Sequence, residues 1–214
     1  MSTPDSTRNY GGRSVADRRA DRRARFLDAA LTVFADKSYA NSTISDVCAE
    51  AGLSRRQFYE AFAGREEVLV ALYDDIQRDA GAAIASAYAA AITDDLWERA
   101  STVMTAYVRS IGTDARRAKI AFVEIVGVNA QVEQHRLAQR KTWGTVFETL
   151  LGQLVGPDVR PPGGYETSAT AFIGAVNGLV HQWSITEPRP PVTDLVEVLS
   201  TILVALVSER PTAR

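Results

Sequence analysis

The sequence predicts an all-α fold, and three observations carry that prediction. Apolar residues recur at helical spacing along most of the chain. Segments that alternate apolar and polar residues are essentially missing. Glycine, proline and Thr-Asp clusters cut the chain into helix-sized pieces. The expected organisation is a flexible basic arm over residues 1–17, a three-helix domain with a helix-turn-helix over 18–66, and a larger helical domain over 67–214.

Length and composition fit this reading. The chain has 214 residues, 46% apolar and 23% charged, enough to bury a core without staples. Its single cysteine, Cys48, excludes an intrachain disulfide, as suits a reducing compartment. The opening residues lack an apolar signal core, and no run of about 18 apolar residues occurs, so the expected location is the cytoplasm, with no membrane partner. The net charge of −2 hides a segregation: residues 1–25 carry +4 and the remainder −6. A basic end on an acidic body suits contact with a polyanion and equally suits a solvated tail.

The first helix is expected over 18–37, where Phe26, Ala30, Val33 and Phe34 share a face. Thr43 is placed to cap a short helix over 44–51, with Asp46 in its first turn and Gly52 as its stop. Ser54 opens the next helix, through Phe62, and Gln57 three residues on completes a capping box. Gly64 breaks that helix, and a longer one runs over 65–91. Further helices are expected over 94–111, 114–127, 131–155, 165–186 and 193–209, with Pro157, Pro161 and Pro162 marking the clearest loop.

Residues 43–62 form the most informative stretch. Ile44, Val47 and Cys48 share one face, Leu53, Phe58 and Phe62 can pack against it, and Ala51-Gly52-Leu53-Ser54 makes the turn. That is a helix-turn-helix. Its packing leaves Arg55, Arg56, Gln57 and Tyr59 pointing outward. The first turn of the second helix is the part that meets base edges, where arginine suits guanine and glutamine suits adenine. Thr43, Tyr59 and Arg65 have groups suited to phosphate oxygens, and the N–H groups opened by Ser54 favour phosphate as well. A plain helical hairpin with a solvated arginine pair is the competing reading. The basic arm, the capped turn and the outward tyrosine favour DNA.

These residues in order resemble the TetR family of repressors: Phe26-Leu27-Asp28-Ala29-Ala30, Phe34, the run from Thr43 to Cys48, the run from Ala51 to Ser54, Phe58-Tyr59, Phe62 and Arg65-Glu66. The resemblance spans about 45 residues. It implies that the helix from Ser54 is the recognition helix and that Thr43, Tyr59 and Arg65 touch phosphate. Three positions depart from the usual pattern: Cys48 replaces alanine, Arg56 a small residue, and Glu60 a frequent histidine. Glu60 would repel phosphate and is assigned no contact. These departures bear on the operator sequence, not on the motif.

The larger domain carries no comparable motif. Aromatic residues on several of its helices are mostly core filler when taken singly. Trp97, Tyr107, Phe122, Trp143 and Phe147 are nominated as a pocket for a small apolar effector because similar repressors place one between such helices. Near the end, Ala171, Gly174, Ala175 and Gly178 permit close helix approach. Leu195, Leu199, Ile202 and Leu206 form a stripe on a helix apolar nearly all round. Burial within one subunit is one explanation. The other, favoured by the resemblance, is a two-fold four-helix bundle joining two copies, with Gly174, Gly178 and the leucine stripe at the interface.

The reading is thus a homodimeric repressor holding a near-palindromic operator, with two recognition helices about one DNA turn apart, released by a small molecule that moves the helix beginning near Arg65. An activator or architectural DNA binder without an effector shares the same head. An enzyme is disfavoured. There is no glycine-rich phosphate loop and no HExxH, and no nucleophile sits with a base. His135 and His181 lack the partners of a metal site, so no cofactor is expected. A purely protein-binding helical module would differ in the salt dependence of DNA binding.

Overall fold

The computed structural model describes residues 14–155 and 159–207, and every regular element among them is helical. The chain divides into two compact units, Met1–Ala71 and Leu72–Arg214. The arm expected over residues 1–17 lies outside the described residues as far as residue 13, and its last three residues already belong to a helix.

The first unit holds α1 (Val15–Lys37), α2 (Ile44–Ala51), α3 (Arg55–Ala61) and the start of α4 (Arg65–Ala90). Three reciprocal caps set the starts of α1, α2 and α3. Ser14 and Asp17 exchange hydrogen bonds at 3.0 Å, and Thr43 with Asp46 and Ser54 with Gln57 repeat the arrangement. Gly52 ends α2 at φ 61°, the left-handed conformation that lets the Leu53 N–H donate back to the Cys48 carbonyl at 3.1 Å. α1 buries Phe26, Ala29, Ala30, Val33 and Phe34, while α2 buries Val47, Cys48 and Ala51. Phe58 from α3 and Phe62 just beyond it complete the core. Their rings lie 5.3 and 6.4 Å from that of Phe26, both edge-on.

The second unit holds the rest of α4, then α5 (Leu96–Gly112), α6 (Ala115–Lys119), α7 (Ala130–Val155), α8 (Gly164–Ile185) and α9 (Val192–Val207). The single helix expected over 114–127 is not one helix. α6 passes into a π-helical turn over Ile120–Glu124, and the Ile125 N–H donates to the Ile120 carbonyl five residues back at 3.2 Å. The wider turn places Ile120, Ala121 and Phe122 inside in succession.

α9 corrects the expected interface. It packs along α5 and α8 of its own chain, burying Leu195, Val196, Leu199, Ser200 and Leu203. Leu195 is 7% exposed and Leu199 0%, so neither is available to a second copy. Ile202 and Leu206 are half-buried, and Val198 stands 46% exposed. The leucines point inward because an apolar helix at the end of a chain can satisfy burial within one subunit first.

Gly112 closes α5 where the Trp183 ring of α8 lies against it. A Cβ there would meet ring carbons at 2.7 and 2.9 Å, and the ring is held by its indole N–H donating to the Pro190 carbonyl at 2.8 Å. Gly112→Ala is therefore expected to destabilise the protein by about 1–3 kcal/mol, read as a lowered midpoint in thermal or urea unfolding.

Candidate functional site

The outward face of α3 follows from its inward one. Phe58 takes the buried position, so Arg55, Arg56 and Tyr59 are turned to solvent, with Tyr59 53% exposed. Arg56 pairs with Glu60 one turn on at 3.2 Å, and the Arg56 side chain remains 89% exposed. Arg55 reaches only the Ser45 hydroxyl, at 3.5 Å. Arg55, Arg56 and Tyr59 are thus the exposed cationic and phenolic side chains of this face.

The other residues nominated for DNA have work inside the fold. The Thr43 hydroxyl donates to the Asp46 carboxylate at 2.7 Å and accepts the Asp46 N–H at 3.1 Å. Lys37 adds a contact at 2.7 Å, and these bonds hold the Asp46 carboxyl down at about 2. Gln57 accepts at one oxygen from both the Ser54 N–H, at 2.9 Å, and the Ser54 hydroxyl, at 3.0 Å. Bidentate adenine recognition needs that oxygen to accept from N6 while the amide nitrogen donates to N7. In this conformation Gln57 and Ser54 serve the cap instead.

Arg65 also turns inward. Its guanidinium donates to the carbonyls of Tyr39, at 2.8 Å, and Ser42, and to the Ser42 hydroxyl at 3.2 Å. It also lies 4.8 Å from the Tyr39 ring centre. The segment leading into α2 is thereby tied to the start of α4. A similar use was not foreseen for the arginines of α1. Arg19 donates to the Glu60 carbonyl at 3.2 Å, Arg23 to that of Ala61 at 3.4 Å, and Arg25 to that of Ala51 at 2.7 Å. They satisfy carbonyls left open at the C-terminal ends of α2 and α3. The spacing of Arg19 and Arg23, four apart on one helix, was the available signal.

The second unit encloses a cavity of about 330 Å³. Tyr107, Phe122, Trp143 and Phe147 line it, with Met104 and Phe172 among further apolar walls. The Trp143 indole N–H donates to Gln77 at 2.7 Å, and its ring meets Tyr107 edge-on at 6.0 Å. Burial pushes the Tyr107 phenol far above its ordinary range and that of Tyr73 up to about 12, so both stay neutral. Trp97 is a correction. It lies seven residues before Met104 and so in phase with the buried stripe, yet it sits in the first turn of α5, is 42% exposed, and does not line the cavity. Burial of that stripe begins only at Ala100.

Five polar lining residues went unforeseen: Gln77, Arg136, Arg140, Asn177 and His181. The His181 ring nitrogen Nδ1 pairs with the Phe122 carbonyl at 3.0 Å, joining α8 to the π turn. His135 is half-buried and meets Asp74 at 2.6 Å. Gly174 and Gly178 of α8 are exposed. Among the described residues no cluster of three potential metal ligands occurs.

A capped helix-turn-helix with a cationic outer face defines a DNA-binding transcriptional regulator. Residues 26–72 match the model for bacterial regulatory proteins of the tetR family. No curated protein matches the sequence. Among solved structures, the fatty acid degradation regulator FadR from Bacillus halodurans is similar at TM-score 0.74 and 18% identity, over 95% of this chain and 100% of that one. FadR from Bacillus subtilis, in complex with stearoyl-CoA, gives TM-score 0.72 and 16% identity over 86% and 99%. A tetR-family regulatory protein from Rhodococcus RHA1 gives 0.69 and 21% over 89% and 98%. At these identities the likeness is one of fold.

Removing the inward ties of Arg65 should cost stability before it costs DNA contacts. Arg65→Ala is expected to lose about 1–3 kcal/mol, visible in unfolding of the free protein, because two carbonyls and a hydroxyl lose their donor. An unchanged midpoint would show that the arginine does not brace this segment.

Proposed function

We propose that the chain is a homodimeric repressor that holds a near-palindromic operator and lets go when a small, apolar-bodied effector fills the cavity of its second unit. The observation that carries this reading is the face of α3, where Arg55, Arg56 and Tyr59 are exposed and held only by a long contact to Ser45 and a solvent-exposed pair with Glu60, while Thr43, Ser54, Gln57 and Arg65 are engaged in caps or ties. Arginine in the first turn of a recognition helix pairs with guanine edges, and Tyr59 suits a phosphate. Thr43, Ser54, Gln57 and Arg65 then act mainly by holding α3 in place.

Dimerisation is proposed through the exposed small-residue face of α8, at Gly174 and Gly178, with the half-buried Ile202 and Leu206 of α9. A dimer matches the symmetry of a palindrome. The cavity supports an effector because it is apolar over most of its wall and within the size range of small-molecule pockets. The stearoyl-CoA held by the Bacillus subtilis neighbour is one ligand with such an apolar body. α4 has residues in both units and supplies Tyr73, Gln77 and Ile84 to the cavity wall, which makes it the proposed carrier of the response. The effector must bind the released state more tightly than the DNA-bound one.

Gel-shift titration with DNA from upstream of the chain's own gene tests the reading. Arg56→Ala is expected to weaken binding by about 1–3 kcal/mol and to relax preference at one position in each half-site. A variant that binds every sequence as the parent does would remove Arg56 from base recognition. Absence of any protected palindrome would count against the repressor itself.

A further inference from the structure

We propose that the effector is an amphipathic anion, held head-first by Arg140 with its apolar tail lying along α7 toward Leu151. The inference rests on the effector reading above and specifies the ligand of that cavity. Its basis is the order of residues on one helix face. Arg136, Arg140, Trp143, Phe147 and Leu151 all line the cavity. They follow one another at spacings of three and four along α7, so they form one stripe. The stripe is cationic at its N-terminal end and wholly aromatic or aliphatic beyond. From Arg140 to Leu151 it runs about 16 Å, the reach of an extended chain rather than a compact ring.

The two arginines are not equivalent. Arg136 is already neutralised, donating to both carboxylate oxygens of Glu133 at 2.6 and 2.9 Å. Arg140 has no such partner. Its one hydrogen bond is a long one to the Thr170 carbonyl, 3.4 Å, and among the described residues no carboxylate lies within ion-pair distance of it. A guanidinium at the wall of an apolar cavity, with no carboxylate partner among the described residues, favours an incoming anion. Asn177 of α8 also lines the cavity and can hydrogen-bond the same head. The planar fork of arginine fits either a carboxylate or a phosphate, so a free acid and a phosphate-bearing thioester share this chemistry.

The test is calorimetric titration of the intact protein with dodecanoate, 1-dodecanol and dodecanoyl-CoA, each below its micellar concentration. The three share a tail and differ in the head. At least one of the two anions is expected to bind about tenfold or more tighter than the alcohol. A preference for dodecanoate assigns the head as a carboxylate, and one for the CoA ester assigns it as phosphate. Arg140→Gln should abolish the preference while leaving alcohol affinity within about twofold, and Arg140→Lys should restore part of it. Equal binding of alcohol and both anions by the parent protein overturns the anionic head and leaves the apolar-effector reading standing. A preference that survives intact in Arg140→Gln overturns the assignment to Arg140. Failure of all three to bind overturns the effector cavity itself.

Discussion

The contact on which the outward face of α3 depends is the edge-on packing of Phe58 and Phe62 against Phe26. α3 is only seven residues long and could not hold its own conformation in water. The three rings give it an orientation, with Phe26 and Phe58 fully buried and their centres 5.3 Å apart. Arg23 covers the far side of the Phe62 ring at 4.1 Å and donates to the carbonyl just before it, so one α1 side chain both shields the core and closes the end of α3. Once Phe58 is fixed, helical geometry decides which neighbours face solvent.

The same economy of short helices explains where the polar side chains go. A helix of seven or eight residues has more unsatisfied backbone groups than internal hydrogen bonds. Thr43, Ser54, Asp46 and Gln57 satisfy donors at the starts, while Arg19, Arg23 and Arg25 satisfy acceptors at the ends. In this arrangement most polar residues of the motif brace it, and a small remainder is left to recognise a partner. The second unit follows a different rule. There an apolar core is opened by a cavity whose wall combines neutral phenols, a fixed indole and two guanidinium groups.

Much of this was legible in the sequence, for physical reasons. Capping residues act within three positions of themselves, so Thr43 with Asp46 and Ser54 with Gln57 announce their helices locally. The periodic stripe of Phe26, Ala30, Val33 and Phe34 announces its buried face in the same way. The polar constituents of the site were harder. That Gln57 spends its oxygen on Ser54, or that Arg65 faces Tyr39 and Ser42, depends on distances that spacing does not encode. Trp97 misled because phase predicts a face and not whether the helix end is covered. Leu195 and Leu199 misled because an apolar stripe does not say whether its partner is the same chain. The π turn at Ile120–Glu124 has no local signal of glycine or proline, and Arg140 reads in sequence as an ordinary exposed helix residue.

The central claim is that α3, set by its aromatic anchor, is the surface that meets DNA. Hydrogen exchange of the intact protein, with and without DNA from upstream of its own gene, measures this most directly. The account predicts that amides over residues 54–62 slow markedly on binding, together with those at the start of α2. Unchanged exchange across α3, with protection appearing elsewhere in the chain, would contradict it.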